Sequence, residues 1–367
     1  MDNSKASILR TLSVRVRDKH SAILSRMAFE ANQVWNAANK ETATWCYIPV
    51  PEVGYIRNPI GAFELQKQLK GIREEQGFII HSTTVQEVIA VHAKSRKQFR
   101  KDKLRWRVSG GVRRSLGWVP FKSGAVSWKN GQAYFAGYYF KVWDSYGLSG
   151  YRFRSGSFSE DARGRWYLNI IVELLEQTGV GSGQVGIDLG LKDTATCSNG
   201  EKLQRGGFYR DSEQKLAKAQ RARQKKRVKN IHAKIKNRRK DALHKFSTRL
   251  VKDNALIVVG NVSSSGLAKT KMAKSVLDAG WAILKTQLDY KSKGMRVVFM
   301  VVDEKYTTQT CSCCGSISDS SPKGRAGLRI REWTCARCGT LHDRDINAAR
   351  NILAAGHGRL AGGIPGR

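Results

Sequence analysis

Two Cys-x-x-Cys-Gly turns, Cys311-Ser-Cys-Cys-Gly315 and Cys335-Ala-Arg-Cys-Gly339, constrain the chain more than any other feature; 20 residues separate Cys314 from Cys335. Each pair can offer two thiolates to one ion, and the glycine behind each pair suits a tight knuckle turn. Cys311, Cys314, Cys335 and Cys338 are therefore the expected ligands of one structural Zn²⁺. An iron–sulfur centre would use the same donors. Cys313 adjoins Cys314, cannot share its place in the knuckle, and is read as spare. Four thiolates leave no open coordination position, so the ion organises the chain and performs no chemistry itself. It bridges a strand near 295–302 and a helix beginning near 345, so it orders what lies at those two roots. Five of the seven cysteines fall in this segment, which points away from a disulfide framework and toward a reducing compartment.

The second constraint is charge. The 367 residues carry 65 Lys plus Arg against 30 Asp plus Glu, a formal charge of +35. Such a surplus favours a polyanionic partner, nucleic acid foremost, held by phosphate neutralisation. Apolar residues make up 41%, enough for real cores, and the length predicts two or three domains. No apolar run reaches membrane-spanning length, and the first residues lack the uninterrupted apolar stretch of a secretory signal. A cytoplasmic, nucleoid-associated location is expected if the gene is prokaryotic or phage-borne.

Periodicity then divides the chain. Leu12, Val14 and Val16 alternate as a strand, and Ile23, Leu24, Met27, Ala31, Val34 and Trp35 share a helical face. A Pro/Gly-bearing connection, Pro49 to Gly54, separates this helix from pieces carrying Leu65, Leu69 and Ile72, then Val85, Val88, Ile89 and His92. The last piece runs into Lys94–Arg107, with eight Lys/Arg and one acid, Asp102. Beyond 105 the pattern becomes β: a hairpin around Asn130-Gly131 and another around Asp161–Gly164. Residues 1–175 are read as a β-rich module with helices inserted near its start, and Thr178–Gly183 as a linker.

A new α/β domain opens with Val185-Gly-Ile-Asp-Leu-Gly190. Ser212–Leu250 is helical, in one or two helices, with fifteen Lys/Arg against Asp241 alone between Lys215 and Arg249. Charge of one sign on that scale repels itself and implies an anion lying against it. Ala255–Val259 and Met295–Val302 read as strands, and Met272–Leu288 as a helix containing Gly280. Strands separated by helices indicate parallel neighbours.

Three carboxylates end core elements. Asp188 sits inside an apolar strand, where a charge needs a partner or a metal. Glu304 closes the strand beginning near 295, and Asp303 points to the opposite face, so only one of the two can face Asp188. Asp345 begins the last helix, a position that also favours acids without any catalytic role. Together with the basic surface they indicate a divalent-metal nuclease, with two Mg²⁺ ions (Mn²⁺ as a substitute in vitro) about 4 Å apart.

Gly186-Ile-Asp-Leu-Gly190, Lys305-Tyr-Thr-Thr-Gln-Thr-Cys-Ser-Cys-Cys-Gly315, Trp333-Thr-Cys-Ala-Arg-Cys-Gly339 and His342-Asp-Arg-Asp-Ile-Asn-Ala-Ala-Arg-Asn-Ile352 resemble TnpB (OrfB), the transposon-encoded RNA-guided DNA endonuclease family related to type V CRISPR effectors and Fanzor proteins. The resemblance is most specific over 185–355. It implies a RuvC-like nuclease domain of the RNase H fold (184–307 and 341–355). A zinc-ribbon target-nucleic-acid-binding insertion would interrupt it at 308–340. A wedge-type β-barrel (1–18 and 104–178) with an inserted helical recognition lobe (19–103) would come first. Gly356–Arg367, with five glycines and one proline, reads by composition as a disordered tail (356–367). Asp188 and Asp345 match the family's first and third catalytic aspartates. The second-motif glutamate is absent: its place, after Ala255-Leu-Ile-Val-Val, is Gly260. Some family members look to have moved this glutamate 40 to 50 residues downstream, and Glu304 stands 44 after Gly260; Glu304 is taken as the relocated ligand, with Asp303 as the other candidate.

The implied partners are a guide RNA and double- and single-stranded target DNA, with no membrane. The implied activity is cleavage of DNA beside a short flanking motif. The rival reading is a nuclease-dead, RNA-guided DNA-binding regulator, because Gly260 stands where a carboxylate is usual.

Overall fold

A computed structural model describes residues 7–45, 47–52, 54–57, 60–175, 181–327 and 329–361. The chain divides into two compact units, Leu9–Leu174, and Leu175–Arg367 together with Met1–Ile8. Among the described residues no helix is long and apolar enough to cross a membrane. Of the segment read as a linker at 178–183, residues 178–180 lie outside the described residues and Gly183 already begins a strand.

In the first unit β1 (Ser7–Arg15) buries Leu12 and Val14, as their alternation predicts. The next element, α1 (Ser21–Trp45), turns Leu24, Met27, Ala31 and Val34 inward at helical spacing. The Pro49–Gly54 segment is not an irregular connection. It closes a hairpin of β2 (Tyr47–Val50) and β3 (Gly54–Arg57), with Glu52 and Gly54 at φ 69° and 86°. Strands this short carry too little alternation to be recognised in sequence. Short helices α2 (Ala62–Gln68) and α3 (Ile72–Glu75) lead to α4 (Ser82–Phe99).

The β part of this unit comprises β4 (Trp118–Phe121), β5 (Val126–Lys129), β6 (Gln132–Phe135), β7 (Tyr138–Phe140), β8 (Phe153–Glu160) and β9 (Trp166–Leu175). Asn130 and Gly131 join β5 to β6 with φ of 51° and 69°, the two left-handed positions of a type I′ hairpin. The strands form a sheet in the order β1-β9-β8-β4 and a second in the order β5-β6-β7, linked by a bridge between Val16 and Val142. Both sheets contribute to one core containing Phe121, Phe135, Phe140 and Phe158. The expected barrel is thus present as two linked antiparallel sheets and, among the described residues, not as a closed cylinder.

The basic stretch after α4 is held in place by asparagines. Asn39 exchanges two 2.8 Å bonds with the backbone of Leu104, and Asn36 two 2.9 Å bonds with that of Arg107. Asn32 donates to Ser109 Oγ. Residues 32, 36 and 39 share a helix face, so α1 pins residues 104–109 along its length.

In the second unit β10 (Gly183–Asp188) lies between β11 (Asp193–Cys197), antiparallel, and β13 (Asn254–Gly260), parallel. β12 (Lys202–Gln204) extends one edge, and β14 (Val298–Val302), parallel to β13, forms the other. The three parallel strands are those expected from the apolar runs, although β14 begins at Val298 and not at Met295. Connecting them are α5 (Arg210–Arg221), α6 (Lys225–Asp253), α7 (Ser264–Leu267), α8 (Ala273–Ala279) and α9 (Trp281–Gly294). The helix expected over Met272–Leu288 breaks at Gly280, whose φ of 71° separates α8 from α9. α10 (Gly324–Gly327) and β15 (Glu332–Thr334) lie in the cysteine-bearing insertion, β16 (Leu341–Asp343) pairs with β15 at its exit, and α11 (Arg344–Ala361) ends the described chain.

Helix α11 shows that the tail begins later than residue 356. Helical structure continues to Ala361, and residues 362–367 lie outside the described residues. Gly356 is buried because its backbone packs on Val258, whose side chain would lie 2.4 Å from an added Cβ. The glycine that suggested disorder is a packing residue. Gly186 on β10 acts in the same way: a Cβ there would come within 2.0 Å of Ala349 O on α11. α11 therefore covers one face of the sheet, while α6 and α9 cover the other through Leu243, Phe246, Leu250, Trp281, Leu284 and Leu288.

Candidate metal-binding sites

Strand parity sorts the acids. Val185 and Ile187 of β10 pack with α6 and α9, so Gly186 and Asp188 belong to the face covered by α11. On β13 the same face carries Leu256 and Val258, and hence Gly260; on β14 it carries Val302, and hence Glu304. Asp188, Gly260 and Glu304 thus share one face at the C-terminal ends of three parallel strands. Asp345, in the first turn of α11, stands over that face.

The glycine at 260 makes room for the glutamate. An added Cβ would meet Glu304 Oε2 at 2.5 Å and Ile352 Cδ1 at 3.3 Å. The Glu304 chain crosses from the end of β14 to lie over its neighbour β13. The loop after Gly260 supports it: Asn261 Oδ1 accepts from Glu304 N at 3.4 Å, and the Val262 N–H bonds the carboxylate.

Electrostatics identify the same cluster. Burial, then the charges of Asp345 and Glu304, push the Asp188 carboxyl up to about 7, while Arg344 pulls the other way. Burial also raises Glu304, opposed first by Lys285. Acids that resist ionising side by side are a donor set suited to a divalent cation, whose charge removes their mutual repulsion.

Cations that the sequence did not single out complete the cluster. Arg331, at the stem of the insertion, places Nη1 3.3 Å from an Asp345 oxygen, and Arg344 Nε lies 3.3 Å from the other. Asp343 caps α11 by accepting from Asp345 N (2.9 Å) and Ile346 N (3.0 Å), and Lys202 holds Asp343 at 2.9 Å. A helix-start Asp two residues before Asp345 was the available signal for the cap. Nothing local distinguishes Arg331 or Lys285 from the other cations of so basic a chain.

The cysteines converge as expected. One ligand atom from each of Cys311, Cys314, Cys335 and Cys338 lies within 4.8 Å of the others. Cys311 Sγ is 3.6 Å from Cys338 Sγ, and Cys314 Sγ 3.8 Å from Cys335 Sγ. Tetrahedral thiolates at about 2.3 Å from an ion stand about 3.8 Å apart, so the donor set fits. The two knuckles repeat one geometry. Gly315 N donates to Cys311 O and Gly339 N to Cys335 O, with glycine φ values of 71° and 70°. Backbone N–H groups of Cys338 and Arg337 help pull the Cys335 thiol down to about 6, toward the thiolate that binds metal. Cys313 is exposed and outside the cluster. His342 places Nε2 3.0 Å from Cys311 Sγ and packs on Trp333, ring centroids 4.9 Å apart.

Two basic surfaces stand out, one in each unit. Lys94, Lys97, Arg100 and Lys101 line a groove with the small residues Gly61, Ala62, Ala90 and Ala93. On α6, Lys225, Lys226, Arg227, Lys229, Lys234 and Lys236 are all exposed, with no acid among residues 225–240.

Known proteins resemble this chain in sequence and in fold. Residues 281–352 match the family model described as "Cas12f1-like, TNB domain", and residues 173–271 match the OrfB_IS605 model, described as "Probable transposase". A Streptomyces pristinaespiralis protein named as a candidate RNA-guided DNA endonuclease is 31% identical over 92% of this chain and 87% of its own length. InsQ of Escherichia coli K12, named likewise, is 33% identical over 54% of this chain and 56% of its own. The fold resembles that of Cas12f1 in its complex with guide RNA and target DNA, with a TM-score of 0.60 at 12% identity, covering 95% of this chain and 99% of that one. With a 31%-identical relative aligned along nearly its whole length, the chain belongs to the TnpB/OrfB transposase family, related to Cas12f1-type RNA-guided nucleases.

Proposed function

We propose that the chain is an RNA-guided, Mg²⁺-dependent DNA endonuclease associated with a transposon, cutting target DNA beside a short flanking motif. Asp188, Glu304 and Asp345 are the ligands of the divalent ions, and Cys311, Cys314, Cys335 and Cys338 hold one structural Zn²⁺. The observation that carries this reading is the placement of the Glu304 carboxylate over Gly260, on the face shared with Asp188 and covered by α11. A second-motif carboxylate supplied from the neighbouring strand fills the position that the glycine vacates. When bound, the divalent ions supply Lewis-acid activation of water and of the scissile phosphate. The chain's own acids orient those ions, while Arg331 and Arg344, beside Asp345, balance charge and offer donors to a phosphate.

The domain assignment follows the same reading. Residues 184–307 and 341–355 form the nuclease domain, and 308–340 the zinc-ribbon insertion. Residues 1–18 and 104–178 form the wedge and 19–103 the recognition lobe. The cations of α6 and of Lys94–Arg107 bind the phosphates of the guide RNA and of its heteroduplex with target DNA. In such systems base pairing reads the target and the protein reads only the flanking motif.

The test is to purify the chain with its RNA, sequence that RNA, and incubate the complex with matched double-stranded DNA and Mg²⁺. Cleavage that disappears in Glu304→Ala supports the proposal. Guide-dependent binding without product assigns the chain to the nuclease-dead regulator class instead. Absence of a specific co-purifying RNA removes guide dependence altogether.

A further inference from the structure

Helix α11 carries Asp345 in its first turn, and the two attachments that place this turn both lead to the cysteine knuckle. The first runs through β16. His342 Nε2 lies 3.0 Å from Cys311 Sγ, and the next residue, Asp343, caps the helix at Asp345 N and Ile346 N. The second runs through two asparagines one helical turn apart. Asn347, 1% exposed, accepts from Ser312 N at 2.8 Å and donates to Thr310 O at 2.8 Å. Asn351 donates to the same Thr310 O at 2.7 Å and to Thr307 O at 2.8 Å.

Ser312 lies inside the first knuckle, between Cys311 and Cys314, so its N–H points at Asn347 only when that knuckle is closed. Two amides at i and i+4 aimed at one carbonyl fix both the rotation of the helix and its position along its axis. Asp345 sits between the two attachments. A knuckle that opens therefore loosens this carboxylate from both sides, leaving the ion pairs of Arg331 and Arg344 with Asp345 and of Lys202 with Asp343.

The geometry points to Asn347 and Asn351 as positioning residues that link formation of the thiolate knuckle to the placement of Asp345, so that filling the four-cysteine site tightens divalent-ion binding at the carboxylates. This rests on the proposed role of Asp188, Glu304 and Asp345. Coupling between two sites is reciprocal and commonly worth 5- to 150-fold in affinity. Thiolates select zinc, and carboxylates accept Mn²⁺, so the two sites can be loaded separately.

The test uses the full chain, with zinc content measured by atomic absorption and Mn²⁺ affinity by the electron paramagnetic resonance of the free ion. Asp188→Asn supplies the background. Stripping zinc from the natural chain weakens Mn²⁺ binding by about tenfold. Asn347→Ala/Asn351→Ala retains one zinc per chain yet binds Mn²⁺ about tenfold more weakly than the natural chain with zinc present, and stripping adds less than about twofold. If the double variant fails to melt cooperatively, Asn351→Ala alone decides, with an expected loss of about threefold. Zinc-independent Mn²⁺ affinity in the natural chain overturns the linkage, as does a folded variant that matches the natural chain. Mn²⁺ binding no stronger than the Asp188→Asn background instead removes the carboxylate site itself.

Discussion

Glu304 and Gly260 form one unit: the carboxylate of Glu304, just past the end of β14, lies where a side chain at 260 on β13 would have to stand, 2.5 Å from the position of its Cβ. Gly260→Ala is therefore expected to displace Glu304 and lower cleavage at least about tenfold with little loss of stability, since the clash is with the far end of a flexible side chain. The exchange variant Gly260→Glu/Glu304→Ala returns the carboxylate to β13 and should cleave better than Glu304→Ala alone. Cleavage rates of the three variants at saturating Mg²⁺ check this.

Asp188 makes the metal-free chain sensitive to pH. Its folded-state pKa, raised to about 7, exceeds the unfolded value near 4. The protonated acid's stabilising contribution is therefore full below about pH 4 and is lost as pH rises through about 7. The metal-free natural chain should lose stability over this window by on the order of a few kcal/mol, and Asp188→Asn should not. Melting curves in chelator from pH 5 to 8 show the difference, and added Mg²⁺ should restore more stability at pH 8 than at pH 6.

Cys313→Ser is expected to leave zinc at one per chain, because Cys313 lies outside the sulfur cluster. Cys335→Ser, which removes a buried sulfur of that cluster, should bind zinc far more weakly and expose the insertion to protease. Metal analysis and limited proteolysis of the two variants distinguish these outcomes.

Gly186→Ala drives a methyl to within 2.0 Å of Ala349 O, a backbone atom that cannot step aside without moving α11. A loss of about 2–4 kcal/mol is expected, read as a lower denaturant midpoint. Mn²⁺ affinity should fall as well, because α11 carries Asp345.

Changing Lys225, Lys226, Arg227 and Lys229 to Gln removes four exposed cations from α6. RNA affinity should fall at low salt, and the slope of log affinity against log salt should flatten by about 0.7 for each single-strand phosphate that is no longer neutralised. A salt titration of binding by the two proteins tests it.

Much of the second unit is legible because its signals are local. The spacing of Cys311, Cys314, Cys335 and Cys338 predicts the sulfur cluster that the fold assembles, and an acid inside Val185–Gly190 marks Asp188. Asn130-Gly131 announced its hairpin. Asn199-Gly200 offered the same cue for the β11–β12 hairpin, with Gly200 at φ 89°, but too little apolar alternation surrounds it for the strands to be recognised. Gly280 and Gly356 look alike in sequence. Only packing shows that the first breaks a helix and the second allows one to lie against Val258.

By itself, then, the order of residues brought out the paired cysteines, the basic stretches and the in–out alternation within each strand, since these depend on spacing along the chain. Tertiary structure alone decided that Glu304 reaches over Gly260, that Arg331 meets Asp345, and that Asn347 and Asn351 clasp residues 307–312. Those relations join positions 14 to 44 residues apart. They depend on how closely two strands or a strand and a helix approach, a distance set by side-chain volume across the core and not by any pattern along one element.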